Sequence, residues 1–229
     1  MKIVKQEAKP ILESDFYKKI EICGRVCYKS EDRITEDSAK KFCQMLVDRG
    51  HLSVFEHWQT SLYFYDNARE FIENGYSLDG IVNLKDQGTD YITLHLTSSI
   101  QVLRQLFRHR KLSISQESTR YCRYRHGITV IEPLFDVGTL NYDIWENSVL
   151  QAERAYMQLL EEGAKPEEAA SILPMCTKSE AMVTATFEDW DYIIDVRTKS
   201  DVFPQTRQLA EMIKLEVEKA KENQLCVNQ

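Results

Sequence analysis

The sequence is poor in the residues that mark linkers and lacks the long apolar runs that mark membrane proteins. Its 229 residues include only 8 glycines and 5 prolines, and no Ser/Gly-rich or Pro-rich stretch divides one part from another. It contains no apolar run of about 18 residues, so we expect no membrane-spanning helix. We therefore expect a single domain over residues 1–229, which is long enough to bury a substantial core.

The N-terminus lacks the apolar segment of a signal peptide, and the six cysteines form no C-x-x-C pair. In a chain without an export signal, scattered thiols are expected to stay reduced, so we expect a cytoplasmic protein. Cys23 and Cys27 lie one helical turn apart beside Ile22 and Val26. Packing is the favoured explanation for this pair, ahead of metal binding.

Positive charge is in deficit overall but concentrated in one segment. The chain has 29 Lys and Arg against 36 Asp and Glu, a formal net charge of −7. This balance disfavours a general nucleic-acid-binding protein, because such binding depends on neutralising phosphates. Residues 104–126 nevertheless hold a single acid, Glu117, and several basic residues: Arg104, Arg108, Arg110, Lys111, Arg120, Arg123 and Arg125. That concentration is typical of a local anion-binding site.

The basic segment has the side chains needed to hold a phosphate. Arginine presents a planar fork of donors that matches phosphate oxygens, and Ser113, Ser115 and Ser118 add neutral donors. A solvated basic surface, or arginines paired with distant acids, would give the same composition. The density of charge favours a phosphate-bearing ligand, either a small nucleotide or a nucleic-acid backbone. Because the chain has no Gly-rich phosphate loop, side chains would do the holding.

Two other candidate sites have simpler explanations. Ser118 lacks the G-x-S-x-G context of an esterase nucleophile, so a role as hydrogen-bond donor is favoured. His51 and His57 flank Glu56 in "GHLSVFEH", but their spacing does not match the H-E-x-x-H zinc helix. A turn cluster is favoured there, and we predict no metal site.

Hydrophobic periodicity predicts an irregular mixture of helices and strands. Helices are predicted at 15–28, 36–49, from Ser98 or Ser99 to 107, 142–162, 166–174, 188–197 and 205–222. Strands are predicted at 57–66, 91–96, 127–134 and 180–187. Ser14 and Thr35 are the predicted N-caps of the first two helices, and Gly50 and Gly163 are predicted to end two others. Because no regular βαβ rhythm appears, an α+β fold is indicated.

Two segments together resemble the signature of a known enzyme family. The stretch "GHLSVFEHW" at 50–58 is followed downstream by "RQLFRHRKLSISQESTRY" at 104–121. In the second, RHR at 108–110 precedes seven residues and then STRY at 118–121. This pattern resembles the flavin-dependent thymidylate synthases, whose signature is R-H-R, seven residues and Ser, usually continued as S-x-R-Y. A weaker similarity extends over 165–210.

The resemblance implies a fold, an activity and partners. The implied fold is a single domain like that of thymidylate synthase-complementing proteins, with a mixed sheet flanked by helices. The implied activity converts dUMP to dTMP, with carbon from methylene-tetrahydrofolate, electrons from NADPH and bound FAD as hydride carrier. No cysteine nucleophile is needed, which agrees with the scattered thiols. Family members are homotetramers with sites shared between subunits, so the implied partners are dUMP, folate and further copies of the chain, with no nucleic acid and no membrane.

The same resemblance gives individual residues expected roles. The residues expected to contact dUMP are Gln105, Arg108, Gln116, Ser118, Arg120 and Arg197. Among them, Ser118 and Arg120 are expected to hold its phosphate. The residues expected to contact FAD are His51, Ser53, Arg108, His109, Arg110 and Gln116. Arg197, in "DVRT", matches the arginine that binds the uracil ring. Its expected role is catalytic, because a guanidinium at the ring edge stabilises the anionic pyrimidine.

Four positions depart from the family's pattern. Ala170 stands where many members carry a dUMP-binding arginine, and Tyr192 stands where Asn or His is usual. Thr186 and Glu188 replace the Asn and Arg of the N-x-R that grips FAD, which reverses a charge near the cofactor's diphosphate. The alternatives are a working synthase, a paralogue with altered flavin or pyrimidine specificity, and a non-catalytic nucleotide- or nucleic-acid-binding module. We favour the working enzyme because the RHR segment and Arg197 are retained.

Overall fold

The computed structural model describes residues 1–58 and 90–227, with side chains as far as residue 223. The strands within these residues are β1 (Lys2–Val4), β2 (Glu7–Pro10), β3 (Tyr91–Ser99), β4 (Ser113–Gln116), β5 (Thr129–Ile131) and β6 (Lys178–Thr186). The α-helices are α1 (Phe16–Tyr28), α2 (Ser38–Asp48), α3 (Ile100–Leu106), α4 (Leu140–Glu161), α5 (Pro166–Ala169), α6 (Phe187–Arg197) and α7 (Pro204–Val227). Short 3₁₀ helices span Glu31–Arg33, Leu52–His57 and Ala170–Ile172.

The strands form two sheets. The larger has the order β2-β3-β6-β4 and is antiparallel throughout, with β3 and β6 paired along their whole lengths. The smaller pairs β1 with β5 in parallel, so that Ile3 lies opposite Val130. Parallel and antiparallel pairing therefore coexist with helices, which confirms the predicted α+β class.

Helices cover both faces of the larger sheet, and β6 presents buried apolar side chains to each face. Leu94 and Val183, which are register partners, point to one face and pack against α3, α6 and α7. Met182 points to the other face and packs against α1, α2 and the Leu52–His57 helix. Trp190 of α6 is fully buried and donates from its indole N–H to the Ile92 carbonyl oxygen at 3.3 Å. This packing fixes α6 against the sheet.

Each predicted helix has a counterpart in the structure, but two predicted caps are wrong. Asp15, not Ser14, caps α1, since its Oδ1 accepts from the Lys18 backbone N–H at 2.9 Å. Thr35 does not cap α2, because that helix begins at Ser38 and its N-cap residue Asp37 makes no capping bond. For α3, of the two candidates it is Ser99 that accepts from the Val102 N–H.

The two glycines predicted to end helices do so, whereas the predicted strands agree only in part. Gly50 and Gly163 follow α2 and α4 with φ of 68° and 91°, conformations that favour glycine. The strand predicted at 57–66 lies outside the described residues except at its start, where His57 ends a 3₁₀ helix. The strand predicted at 127–134 is shorter than expected, and periodicity missed β1, β2 and β4 altogether.

Two further features bear on the predictions made from composition. None of the described helices combines the length and apolar character needed to cross a bilayer. Cys23 is fully buried beside Ile20 and Leu46, so packing explains it, and the five cysteines with described side chains are free thiols.

Candidate active site

The RHR segment lines one wall of a cavity of about 490 Å³. Arg108, His109, Arg110 and Lys111 form this wall, and the opposite wall comes from α6. The size lies within the range of small-molecule sites. The segment projects because it is pinned at both ends by packing: Leu106 and Leu112 are buried, while the arginines between them are exposed.

Arg197 and His109 are joined by a hydrogen bond at this cavity. Arg197 Nε donates to His109 Nε2 at 3.0 Å, and Arg197 Nη2 donates to the Gln105 carbonyl oxygen at 2.6 Å. Partial burial lowers the pKa of His109 below its usual value, and the positive charges of Arg197 and Arg108 lower it further. His109 is therefore neutral near pH 7, with its proton on Nδ1 and Nε2 free to accept.

Gln105 and Tyr192 complete the surroundings of that pair. The Gln105 side-chain oxygen accepts from the Thr206 hydroxyl of α7 at 3.1 Å. The ring of Tyr192 meets His109 edge to face, with centroids 5.9 Å apart. The structure thus brings together the RHR segment, Gln105 and Arg197, which the resemblance gave related roles.

The α6 wall carries two acids, and only one of them has a charged partner in the part of the chain described. Asp189 accepts from the Thr186 hydroxyl at 2.8 Å and lies 3.2 Å from Lys111 Nζ. Lys111 therefore has a carboxylate partner, although its own side chain is 68% exposed. Among residues 1–58 and 90–223, Arg108 and Arg110 have neither a hydrogen bond nor an ion pair, so their guanidinium groups are available to an anion. Glu188 also lines the cavity. It stands where the family pattern has an arginine, so a negative charge faces the site in place of a positive one.

Gln116, Ser118 and Arg120 form a second group, which does not line this cavity. Gln116 ends β4 and its amide donates to Ser179 Oγ at 3.0 Å. Ser118 Oγ accepts from the Arg120 backbone N–H at 3.3 Å. Arg120 Nε lies 3.2 Å from Glu167 Oε2, with both side chains exposed. Within one chain, the predicted phosphate-binding residues are therefore separate from the RHR cavity.

His51 lies with the second group. Its Nδ1 is 2.6 Å from the Tyr28 hydroxyl, and the Tyr28 ring is 5.3 Å from the ring of Tyr121. The Arg120 guanidinium in turn lies 5.5 Å from the Tyr121 ring. Tyr28 thus connects the two segments that carry the resemblance, 50–58 and 118–121. Ser53 is exposed in the Leu52–His57 helix.

His57 and Glu56 belong to the core rather than to either group. His57 is fully buried, and its Nδ1 lies 2.8 Å from Thr184 Oγ1. Burial lowers its pKa to about 3 and raises the pKa of Glu56 to about 7. In the described part of the chain, no group of three or more His, Cys, Asp or Glu is placed to hold a metal ion.

Sequence reasoning missed a cluster of charged residues around Glu117. Lys29, Tyr124 and Lys178 all contact its carboxylate, and Lys178 also pairs with Glu180. The one signal in the sequence was Glu117 itself, the single acid in a basic segment. Its partners come from distant elements and could not be identified by spacing. These five residues are called the Glu117 cluster below.

Two of the positions that depart from the family pattern have structural roles in this chain. Thr186 caps α6, since its hydroxyl accepts from the Asp189 backbone N–H at 3.1 Å. Ala170 starts a 3₁₀ helix behind α5 and is partly buried. Tyr192 remains 63% exposed, so its ring is available for a contact beyond His109.

A family model and several known proteins match this sequence. The model of the family described as thymidylate synthase complementing protein, Thy1, matches residues 89–221. A flavin-dependent thymidylate synthase of Corynebacterium diphtheriae is 24% identical over 208 residues, covering 83% of this chain and 70% of the relative. A probable flavin-dependent thymidylate synthase of Mycobacterium phage L5 is 26% identical over 205 residues, covering 83% and 71%.

The fold is shared with a solved structure. The UMP/dUMP methylase PolB from Streptomyces cacaoi, crystallised with 5-Br dUMP, superposes with a TM-score of 0.55. The match has 18% sequence identity and covers 96% of this chain and 93% of that one. At this identity, the similarity establishes a common architecture.

Proposed function

The chain belongs to the thymidylate synthase complementing protein family, and we propose that it acts as a flavin-dependent thymidylate synthase. The reaction converts dUMP to dTMP, with methylene-tetrahydrofolate as carbon donor, NADPH as reductant and FAD as cofactor. The observation that carries the proposal is the 3.0 Å contact between Arg197 and His109 at the basic cavity. It joins the two separate segments whose residue types fit a nucleotide and a flavin.

The cavity wall fits the anionic part of a flavin dinucleotide. Arg108 and Arg110 both line the wall and have no charged partner in the described residues, so they would hold a diphosphate. Lys111 contributes less because Asp189 offsets it. Tyr192 offers an exposed ring next to His109. When bound and reduced, the flavin would supply the hydride to the pyrimidine ring.

Arg197 would hold the uracil ring and stabilise its anionic form. The guanidinium has five N–H donors, and two of them are used by His109 and Gln105. Those two bonds fix its orientation and leave the others to reach ring oxygens. A fixed positive charge there lowers the energy of the pyrimidine anion without a proton donor. Neutral His109 is the partner that Arg197 needs, since protonation of Nε2 would end its role as acceptor.

Arg120 and Ser118 would hold the nucleotide phosphate. In the ligand-free chain, Arg120 pairs with Glu167, and both side chains are largely exposed. An exposed ion pair of this kind is weak, so a phosphate dianion would displace the Glu167 carboxylate. Ser118 Oγ lies within 3.3 Å of the Arg120 backbone N–H, which places a hydroxyl at the same point of the turn.

We propose that the two groups of residues meet through association of subunits. Within one chain the Ser118–Arg120 turn does not line the RHR cavity, which supports sites shared between copies. A homotetramer is the assembly that we propose. The free thiols of the described cysteines support a cytoplasmic location. A paralogue with altered flavin or pyrimidine specificity is the second candidate, and Glu188 in the cavity wall is the observation that favours it.

The visible spectrum of the purified protein, with and without dUMP, tests the proposal. We expect a flavin spectrum near one FAD per chain that is perturbed when dUMP is added. A protein that stays colourless after incubation with FAD would refute the proposed cofactor. A flavin spectrum perturbed by UMP and not by dUMP would favour the second candidate.

A further inference from the structure

Glu117 is a buried carboxylate within the basic segment, and three partners hold it. Its side chain is 1% exposed. Oε1 accepts from the Tyr124 hydroxyl at 2.9 Å and from Lys29 Nζ at 3.2 Å. Lys178 Nζ lies 3.2 Å from Oε2, as an ion-pair contact rather than an aligned hydrogen bond. The carboxylate is therefore clamped between α1, which precedes Lys29, and β6, which begins at Lys178.

The charges of the Glu117 cluster balance, and a histidine extends it. Lys178 also pairs with Glu180, whose second oxygen lies 3.1 Å from His95 Nε2. Two ammonium groups thus face two carboxylates; of these four residues, Lys178 and Glu117 are buried while the Lys29 side chain is 44% exposed. Each charge depends on the others, because a buried charge without a partner is costly. Loss of one member is expected to rearrange the rest.

The backbone connects the Glu117 cluster to the turn that contains Ser118 and Arg120, the predicted phosphate-binding residues. The Glu117 N–H donates to the Glu180 carbonyl oxygen at 2.8 Å, which extends the pairing of β4 by one residue. Exposure alternates from residue 113 to residue 118, with Ser113, Ser115 and Glu117 buried. Since successive side chains of a strand point to opposite faces, Gln116 and Ser118 point away from the Glu117 cluster. Holding Glu117 thereby fixes the direction of both neighbours.

The turn that follows is held mainly through Ser118. The Ser118 N–H donates to the Cys27 carbonyl oxygen at 3.1 Å, and its own carbonyl accepts from the N–H groups of Tyr121 and Cys122. Arg120 leaves this turn toward the surface. A shift at residue 117 would therefore be transmitted to Ser118 and to the base of the Arg120 side chain.

Stability alone does not account for an acid at this position. A buried ion pair is often replaced by apolar residues without loss of stability, because desolvation opposes the attraction between the charges. An apolar residue could fill position 117 if Lys29 and Lys178 were replaced by apolar residues as well. The Glu117 cluster provides what an apolar contact does not: two directional hydrogen bonds, from Tyr124 and Lys29, and an ion pair with Lys178. Such bonds fix the path of the chain.

We propose that Glu117 is a positioning residue for nucleotide binding: clamped by Lys29, Tyr124 and Lys178, it sets the path of residues 116–120 and so the placement of Ser118 and Arg120 toward the substrate phosphate. Glu117 does not touch the substrate. The inference rests on the proposed function, since it takes the ligand of the turn to be a nucleotide monophosphate.

Direct binding of dUMP by the flavin-loaded protein tests this role. Glu117→Gln keeps the shape of the side chain and removes the charge that Lys29 and Lys178 require. We expect the Kd for dUMP to rise about tenfold or more, with flavin content unchanged and kcat at saturating dUMP within about threefold of the unmodified protein. Glu117→Asp retains the charge and is expected to recover part of the affinity.

A matched control separates positioning from a general loss of a buried charge. Glu21 of α1 has a side chain that is 2% exposed and pairs with Arg25 at 2.7 Å. In the described structure no hydrogen bond or ion pair joins it to residues 116–120. Glu21→Gln is expected to lower the melting temperature and to leave dUMP affinity unchanged. If Glu117→Gln does not fold, Tyr124→Phe removes one bond to the same carboxylate, and a rise in Kd of about threefold is expected from it.

The outcomes distinguish this inference from the proposed function. If the unmodified protein binds dUMP and a folded Glu117→Gln binds it equally well, the positioning role is overturned and the proposed function stands. If Glu21→Gln weakens dUMP binding as much as Glu117→Gln, the effect is general and the positioning role is likewise overturned. If the unmodified protein binds flavin but no dUMP, the proposed function and the inference both fail.

Discussion

Arg197 Nε lies 3.0 Å from His109 Nε2, although the two residues are 88 positions apart in the sequence. The contact exists because α3 and α6 pack on the same face of the larger sheet, where Leu103 and Ile193 share one core. The end of α6 thus meets the loop that follows α3. This relationship makes a guanidinium of fixed orientation part of the RHR cavity.

Replacing Arg197 tests whether that guanidinium is catalytic. Arg197→Ala is expected to lower kcat by at least about 10²-fold while FAD stays bound, because the charge that stabilises the pyrimidine anion is lost. Steady-state kinetics with flavin content measured in parallel check this. Arg154→Ala, at an exposed position of α4, is the control and should be fully active. Full activity of Arg197→Ala would show that the role assigned to "DVRT" is wrong.

Arg120 and Glu167 are expected to have opposite effects on dUMP affinity. Arg120→Ala should weaken binding by about 2–4 kcal/mol, since a charged contact to the phosphate is lost. Glu167→Gln removes the carboxylate that competes for Arg120 and should tighten binding by up to about 1 kcal/mol. Isothermal titration with dUMP measures both. Unchanged affinity in Arg120→Ala would reject the phosphate role.

Glu188, the acid on the cavity wall without a charged partner in the described residues, is expected to weaken flavin binding. Glu188→Arg exchanges a like-charged neighbour of the diphosphate for an opposite one and should tighten FAD by about tenfold. Asp195→Arg makes the same exchange on α6 but outside the cavity, where the side chain is 73% exposed. It should leave flavin affinity unchanged. If Glu188→Arg also leaves it unchanged, residue 188 does not face the cofactor.

Glu56 is expected to make stability fall as the pH rises. Burial raises its pKa in the folded protein from 4.5 to about 7, so the unfolded chain loses this proton at lower pH than the folded one. The contribution of Glu56 is fully present below about pH 4.5 and is lost as the pH rises through 7. Glu56→Gln should therefore raise the free energy of unfolding at pH 7 by about 1–3 kcal/mol.

Chemical denaturation at pH 4.5 and at pH 7 checks this expectation. The difference between Glu56→Gln and the unmodified protein should grow between those values. His57 acts in the opposite direction, because its lowered pKa of about 3 costs stability as the pH falls from 6.5. Its effect is common to both proteins and cancels in the comparison. A difference independent of pH would show that Glu56 titrates normally.

The sequence predicted those parts of the fold whose signal is local. The amphipathic stripes of α2 and α4 and the glycines that end them lie within one segment, so periodicity alone located them. The RHR segment and Arg197 were likewise identified by their neighbours in the chain. The structure adds that they meet, which no local pattern contains.

The parts that were missed depend on distant partners. β1, β2 and β4 have three or four residues each, too few for alternation to be recognised, and they exist because of pairing with strands far along the chain. The Glu117 cluster has the same origin, since Lys178 reaches Glu117 only through the register of β4 with β6. The N-cap prediction for α1 was wrong for a different reason. Ser14 and Asp15 are equally suitable by residue type, and the backbone conformation makes Asp15 the cap.

Release of tritium from dUMP labelled at C5 is the measurement that tests the central claim most directly. We predict that the flavin-loaded protein, given methylene-tetrahydrofolate and NADPH, releases tritium and forms dTMP, and that Arg197→Ala does neither while keeping its flavin. If flavin-loaded protein that binds dUMP forms no dTMP and releases no tritium under these conditions, the chain is not a thymidylate synthase.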